Sequence, residues 1–231
     1  MEKTGTPRML LEIVSDTICP WCYIGKQKLD AALAMIGDEI EFDVRWRPFE
    51  LNPDMPSGGL ERRTYRSAKF GSWEKSQALD AQVHAAGADV DLDFRHDRMA
   101  MTPNTLSSHV LVRLAWESGL QDVVIDAIFM AYFTEGRDVG HDQTLTEIGV
   151  SCGMDGERIK EGLVDEDLRH DVKSEAVAYS EAGVNSVPSV LLNRHLLFSG
   201  AQSPERIDGT LRRAAANGDV VSPGAAGLVD G

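Results

Sequence analysis

A chain of 231 residues, 42% of them hydrophobic, is long enough to bury a core without covalent staples. Its 23 basic against 37 acidic residues give a formal net charge of −14, which repels nucleic acid and anionic membrane surfaces and otherwise serves solubility. Three cysteines, an odd count, exclude a disulfide framework, and no run approaches the ~18 uninterrupted apolar residues that a membrane-spanning helix needs.

Residues 9–14 are strand formers ending at Ser15-Asp16-Thr17, and Glu12 interrupts a run already too short for a secretory segment, so a cytoplasmic protein is expected. Cys19-Pro20-Trp21-Cys22 follows at once. Proline suits a first helical turn, and Ile24, Leu29, Ala32, Leu33 and Ile36 recur at helical spacing, which predicts a helix opening on the cysteine pair. From Glu39 to Trp46 the alternation of Ile40, Phe42, Val44 and Trp46 predicts a second strand. A turn-rich loop over 51–59 then marks a boundary.

Residues 60–182 read as helical almost throughout, with Gly87, Pro103, Gly119, Gly136, Gly149 and Gly153 as breaks or caps. Asn104 or Thr105 caps a helix carrying Leu106, Val110, Leu114 and Trp116. Ile125, Ile128, Phe129, Tyr132 and Phe133 line another, as core rather than a cofactor box. After Gly183 the pattern predicts a hairpin, with strands over 184–192 and 195–198 joined by Asn193-Arg194 and with Pro188 at its entrance. Ser203-Pro204-Glu205 opens a last helix, and a frayed tail is expected from Asn217.

The cysteine pair carries the chemistry. A thiolate attacks a disulfide sulfur, and a second thiol within reach then displaces the substrate from the mixed disulfide. At a helix N-terminus the unpaired N–H groups and the dipole favour a negative sulfur, which makes Cys19 the nucleophile, with a pKa expected below the usual ~8.5. Cys22, one turn inward, becomes the resolving thiol, and the uncharged Pro20 and Trp21 tune the pair. The competing reading is half of a zinc site, but Cys152 and the histidines at 84, 96, 109, 141, 170 and 195 supply no ligand-spaced second half, so no metal is expected. Asp16 suits turn capping better than proton relay, Cys152 suits burial better than redox work, and His109 lies at the core edge or faces substrate.

The stretch from Asp16 to Gly25 resembles the opening of the DsbA-like oxidoreductases of the FrnE group. Residues 47–53, Asn104-Thr105 with His109, residues 131–136, Gly183-Val184 with Val187-Pro188, and residues 199–202 resemble the same group in the same order. The resemblance implies an α/β, thioredoxin-like fold with a large helical insertion: a discontinuous thioredoxin-like domain over 1–59 and 183–231, interrupted by a helical domain over 60–182. It also implies a cis Val187-Pro188 bond facing the cysteines, with Val187 offering backbone hydrogen bonds to substrate, although the unaided prior for a cis X-Pro bond is only ~5–6%. Asn185-Ser186 stands where the group usually has glycine.

The implied activity is thiol–disulfide exchange with protein or small-molecule thiols and no resident cofactor; exchange chemistry, rather than any glutathione-binding motif, makes glutathione a candidate co-substrate that resets the pair. The competing activity is that of the glutathione-dependent 2-hydroxychromene-2-carboxylate isomerases and kappa-class glutathione transferases. These resemble the chain in fold but need only one activated hydroxyl or thiol. A holdase-like protein using the insertion as an apolar groove is a third reading.

Overall fold

The computed structural model describes residues 8–217, so most of the expected C-terminal tail lies outside the described residues. Strand β1 (Met9–Ser15) is central, and residues 11–15 are all buried, as expected of a strand covered on both faces. It pairs in parallel with β2 (Phe42–Pro48), from Met9 opposite Phe42 to Ser15 opposite Pro48. Between them runs helix α1 (Pro20–Ile36), followed by a 3-10 turn over Gly37–Glu39. That turn takes Glu39, the first residue of the stretch expected as strand, and β2 begins three residues late and runs two further.

The chain's C-terminal part completes the sheet. In chain order the intervening elements are β3 (Leu60–Glu61), α2 (Arg62–Phe70), α3 (Trp73–Ala88), β4 (Met101–Thr102), α4 (Leu106–Glu117), α5 (Gln121–Met130), α6 (Asp142–Ser151), α7 (Gly156–Val164) and α8 (Glu166–Glu181). Then β5 (Ser189–Leu192) pairs antiparallel with β1, and β6 (His195–Ser199) with β5, giving the order β2-β1-β5-β6. Asn193 and Arg194 both have positive φ, 48° and 68°, as a two-residue hairpin turn demands. The Asn193 side chain also accepts a hydrogen bond from Leu10 N–H at 3.2 Å, so the turn is tied to β1. Helix α9 (Pro204–Ala216), capped by Ser203, packs on α1.

Several expectations are corrected. The strand expected over 184–192 is only four residues long, because residues 184–188 bend instead of pairing and Pro188 has no N–H to give to a ladder. The helical stretch contains the two-stranded sheet β3-β4, each strand too short to show any periodicity. Tyr132 and Phe133 lie in a π-helical turn (Ala131–Glu135) that continues α5. Gly87 and Gly149 are not breaks but lie inside α3 and α6; at Gly87 a Cβ would sit 2.5 Å from the ring of Phe94, so glycine is there for close packing. The α4 N-cap position is Thr105, yet it is the Asn104 side chain that accepts the Leu106 N–H, at 3.0 Å.

The insertion is welded to the sheet. Gln121 lies along the edge of β2, its Oε1 accepting from Trp46 N–H at 2.8 Å and its Nε2 donating to Trp46 O at 3.1 Å, so the edge offers no free pairing there. Tyr23 of α1 stacks on Phe129 and Phe133 with centroids 5.1 and 5.9 Å away. Lys26, one turn on and only 1% exposed, reaches Asp30 at 2.7 Å and Asp122 and Asp126 of α5 at 3.2 Å each.

Candidate active site

The hairpin from β1 into α1 creates the site. Cys19 is the N-cap of α1 (φ −87°, ψ 114°) with Pro20 at the first helical position, where a missing N–H costs nothing. Its carbonyl accepts from Cys22 N–H at 3.0 Å and its own N–H donates to Asp16 O at 3.0 Å, so the turn is closed by backbone before any side chain acts. Both sulfurs are free thiols. Cys19 is 4% exposed and Cys22 fully buried, while Trp21 between them stands 41% exposed. The pair is therefore asymmetric, with an outer thiol, an inner thiol and an apolar rim.

Pro188 lies across from the pair, and the Val187-Pro188 bond is cis. The Cys19 thiol points at the Val187 carbonyl, Sγ to O 3.7 Å, across 168 residues of sequence. Pro188 is seated by contact and by backbone: its carbonyl accepts from Gly200 N–H at 2.7 Å, and its ring lies against Gly25. A Cβ on Gly25 would come within 2.8 Å of Pro188 Cγ, which explains a glycine one turn beyond Cys22 in a helix interior.

Side chains hold the other flank. Asp16, wholly buried, accepts from Ile18 N–H at 3.3 Å and from Leu51 N–H at 2.7 Å, so it caps the turn and also anchors the loop after β2. Thr17 and Ser108 share a hydrogen bond of 2.7 Å, and Ser108 donates to Thr105 O at 2.8 Å. His109 Nε2 lies 3.0 Å from Phe49 O and 3.8 Å from Asp16. His109 is thus buried behind the active-site loop, which resolves the alternative left open by its sequence position. Next to it Glu50 has a buried Oε2 without a partner, and burial pushes its carboxyl up, helped by Asp16.

Burial raises the Cys22 thiol well above the usual range; the Cys19 sulfur, by hydrogen bond and charge, adds to the rise, while the Ser15 hydroxyl and the Asp16 backbone oppose it. Cys152 is half-buried rather than fully buried, at the end of α6, with Sγ 3.9 Å from Val123 O. The structure does not bring it to the pair. Among the described residues no group of three or more His, Cys, Asp or Glu is arranged to hold a metal, and no helix is long and apolar enough to cross a membrane. Sequence reading missed Ser15, Thr17, Gly25, Glu50 and Ser108. Gly25 alone left a signal, as a glycine inside a helical pattern.

Comparisons with known proteins bear on the fold and the family. The probable DsbA oxidoreductase SCO1869 of Streptomyces coelicolor is 31% identical, covers 96% of this chain with 94% of its own, and superposes with a TM-score of 0.82. The uncharacterized protein YwbO of Bacillus subtilis is 29% identical over 191 residues, 79% of this chain and 86% of its own. A 2-hydroxychromene-2-carboxylate isomerase shares the fold at 14% identity, with a TM-score of 0.69 over 93% of this chain and 100% of its own. The model of the DSBA-like thioredoxin domain matches residues 10–212, nearly the whole described chain, and the protein belongs to that family.

Proposed function

We propose that the protein exchanges disulfides with protein or small-molecule thiols through Cys19 and Cys22, as a FrnE-like member of its family. One observation carries the reading: Cys19 caps α1 with its sulfur 3.7 Å from the Val187 carbonyl, while Cys22 lies fully buried one turn behind it. A helix N-terminus favours negative charge, and the thiolate is the nucleophile of exchange. Cys19 attacks one sulfur of a substrate disulfide. The substrate S–S bond breaks, and its other sulfur leaves with the electron pair and takes a proton. Cys22 then attacks Cys19, closing the intramolecular disulfide and releasing the second substrate sulfur as a thiol. The substrate gains two electrons and the pair loses two; run backwards, the same steps oxidise a substrate dithiol.

Val187 supplies the ledge on which an extended substrate segment hydrogen-bonds, Pro188 holds that ledge, and Pro20 and Trp21 set the stiffness and apolar character of the rim. The electron balance closes between dithiol and disulfide, so no resident cofactor enters. Two glutathione molecules suffice to reset the oxidised pair as co-substrate. The isomerase reading leaves the buried second thiol without a task, because that chemistry needs only one activated group.

The test is exchange by the two single variants. Cys19→Ser loses disulfide exchange, whereas Cys22→Ser keeps the first attack and accumulates mixed disulfides detectable by mass spectrometry. Full activity in either variant refutes the two-thiol mechanism. Efficient isomerisation of 2-hydroxychromene-2-carboxylate with glutathione, surviving Cys22→Ser, moves the protein to the isomerase branch. Equilibration in glutathione buffers then gives the potential that fixes the direction of exchange.

A further inference from the structure

Ser15 closes β1 directly beneath the cysteine turn. It is 2% exposed, its Oγ has no well-formed hydrogen-bond partner, and it lies near enough to the fully buried Cys22 thiol for its hydroxyl to favour the thiolate. A buried hydroxyl without a partner is costly, so its retention here calls for a reason. We propose that Ser15 is a catalytic residue of the resolving half-reaction, its hydroxyl donating a hydrogen bond to the Cys22 sulfur as that sulfur becomes a thiolate. The proposal rests on the two-thiol reading of the site and assigns a residue to its second step.

The reason lies in what acts on Cys22. Burial opposes its ionisation, and so does the adjacent Cys19 sulfur; the Ser15 hydroxyl and the Asp16 backbone favour it. Cys19 is the ionisable group that bears on this sulfur. Once Cys19 is bonded to substrate, its sulfur is neutral and the electrostatic opposition from Cys19 disappears. What remains is burial, set against the Ser15 hydroxyl and the Asp16 backbone. Cys22 therefore becomes easier to ionise when it has to attack, and Ser15 is the side chain that helps it. In the step, Cys22 gives up its proton, the Cys22–Cys19 bond forms and the bond from Cys19 to the substrate sulfur breaks. The substrate sulfur leaves with the electron pair and gains a proton, so proton count and electrons balance without another reagent. A neutral hydroxyl in this place assists without being consumed.

Ellman's disulfide, 5,5′-dithiobis(2-nitrobenzoate), separates the two steps, because Cys19 attack releases one coloured thiolate and Cys22 resolution releases the second. The measurement is made in a Cys152→Ala background, so that the third thiol does not react. In Ser15→Ala the first phase keeps its rate, while the second slows about tenfold at neutral pH, the scale of one hydrogen bond to a charged group. Its pH profile moves upward, so that the rate recovers in alkaline buffer, and Ser15→Thr, which keeps the hydroxyl, restores the second phase. If the alanine variant does not fold, Ser15→Val against Ser15→Thr makes the same comparison between side chains of one shape that differ by the hydroxyl. An unchanged second phase, or equal slowing of both phases, overturns the role of Ser15. Release of a single equivalent by the parent protein overturns the two-thiol reading instead.

Discussion

The two flanks of the cysteine pair are built from different materials. On the β5 side the supports are backbone and close contact: the Val187 carbonyl near Cys19, the Gly200 N–H on the Pro188 carbonyl, and Gly25 making room for the proline ring. On the α4 side they are polar side chains, with Thr17 on Ser108, His109 on Phe49 O, and Asp16 on Leu51 N–H. Contact supports fail by steric displacement and polar ones by leaving a buried partner unsatisfied. The first flank should therefore set reactivity at the sulfur and the second the stability of the loop that carries it.

Gly25→Ala is the strongest way to break the contact flank. Its methyl group would come within 2.8 Å of Pro188 Cγ, and overpacking of this kind costs about 1–3 kcal/mol. Because Pro188 carries Val187 with it, exchange should fall about tenfold or more, the rate equivalent of 1.4 kcal/mol. Stopped-flow exchange together with denaturant unfolding checks this, and an unaltered exchange rate in a destabilised variant would remove the contact flank from control of reactivity.

On the polar flank, Ser108→Ala orphans the Thr17 hydroxyl and takes one of two donors from the Thr105 carbonyl, which keeps the His109 N–H, at a cost of about 1–3 kcal/mol in stability with a smaller effect on exchange. Thr17→Val added to it should be less destabilising than the sum of the two single changes, because the second removes the orphan left by the first. Strict additivity in urea melts would mean that the two hydroxyls do not act as a pair.

The smallest effect at the site should come from a group remote from both flanks. His96 stacks on Phe94 and lies 3.8 Å from Asp80, and burial, with Arg62, Arg66 and His84 nearby, pushes its pKa down to about 4 against attraction from Asp80. A histidine depressed in the folded state binds a proton more readily when unfolded. Its contribution to stability is therefore whole above its unfolded pKa of ~6.5 and is lost as the pH falls from there toward about 4. Urea midpoints of the parent should drop across that window more steeply than those of His96→Gln, with exchange at neutral pH the same in both. Parallel midpoint curves would contradict the shift.

Much of the contact flank could be read from sequence only by resemblance. The helix opening on the cysteines followed from proline and periodicity, but the Val187 contact joins residues 168 positions apart, and an unaided reading of Pro188 favours trans. The length of β5 was misjudged because residues 184–192 look like one strand until Pro188 interrupts the ladder. The polar flank was less legible still. Serine and threonine carry no periodic signal, and Thr17 meets Ser108 across 91 positions. Asp16 was readable as a turn cap because that role is local, but its bond to Leu51 N–H was not. The two-residue strands β3 and β4 are pinned by tertiary position, with too few residues for any pattern.

The sheet order has a consequence for how the protein comes into being. As the chain leaves the ribosome, β1, the cysteine pair and β2 emerge early, but the partner of Cys19 lies on the segment leading into β5, and Asn193 closes onto Leu10 across 183 positions. Until that late segment arrives, the nascent chain carries two thiols without the carbonyl that faces Cys19 or the strand that covers the other side of β1. Synthesis thus separates the making of the thiols from the making of the site.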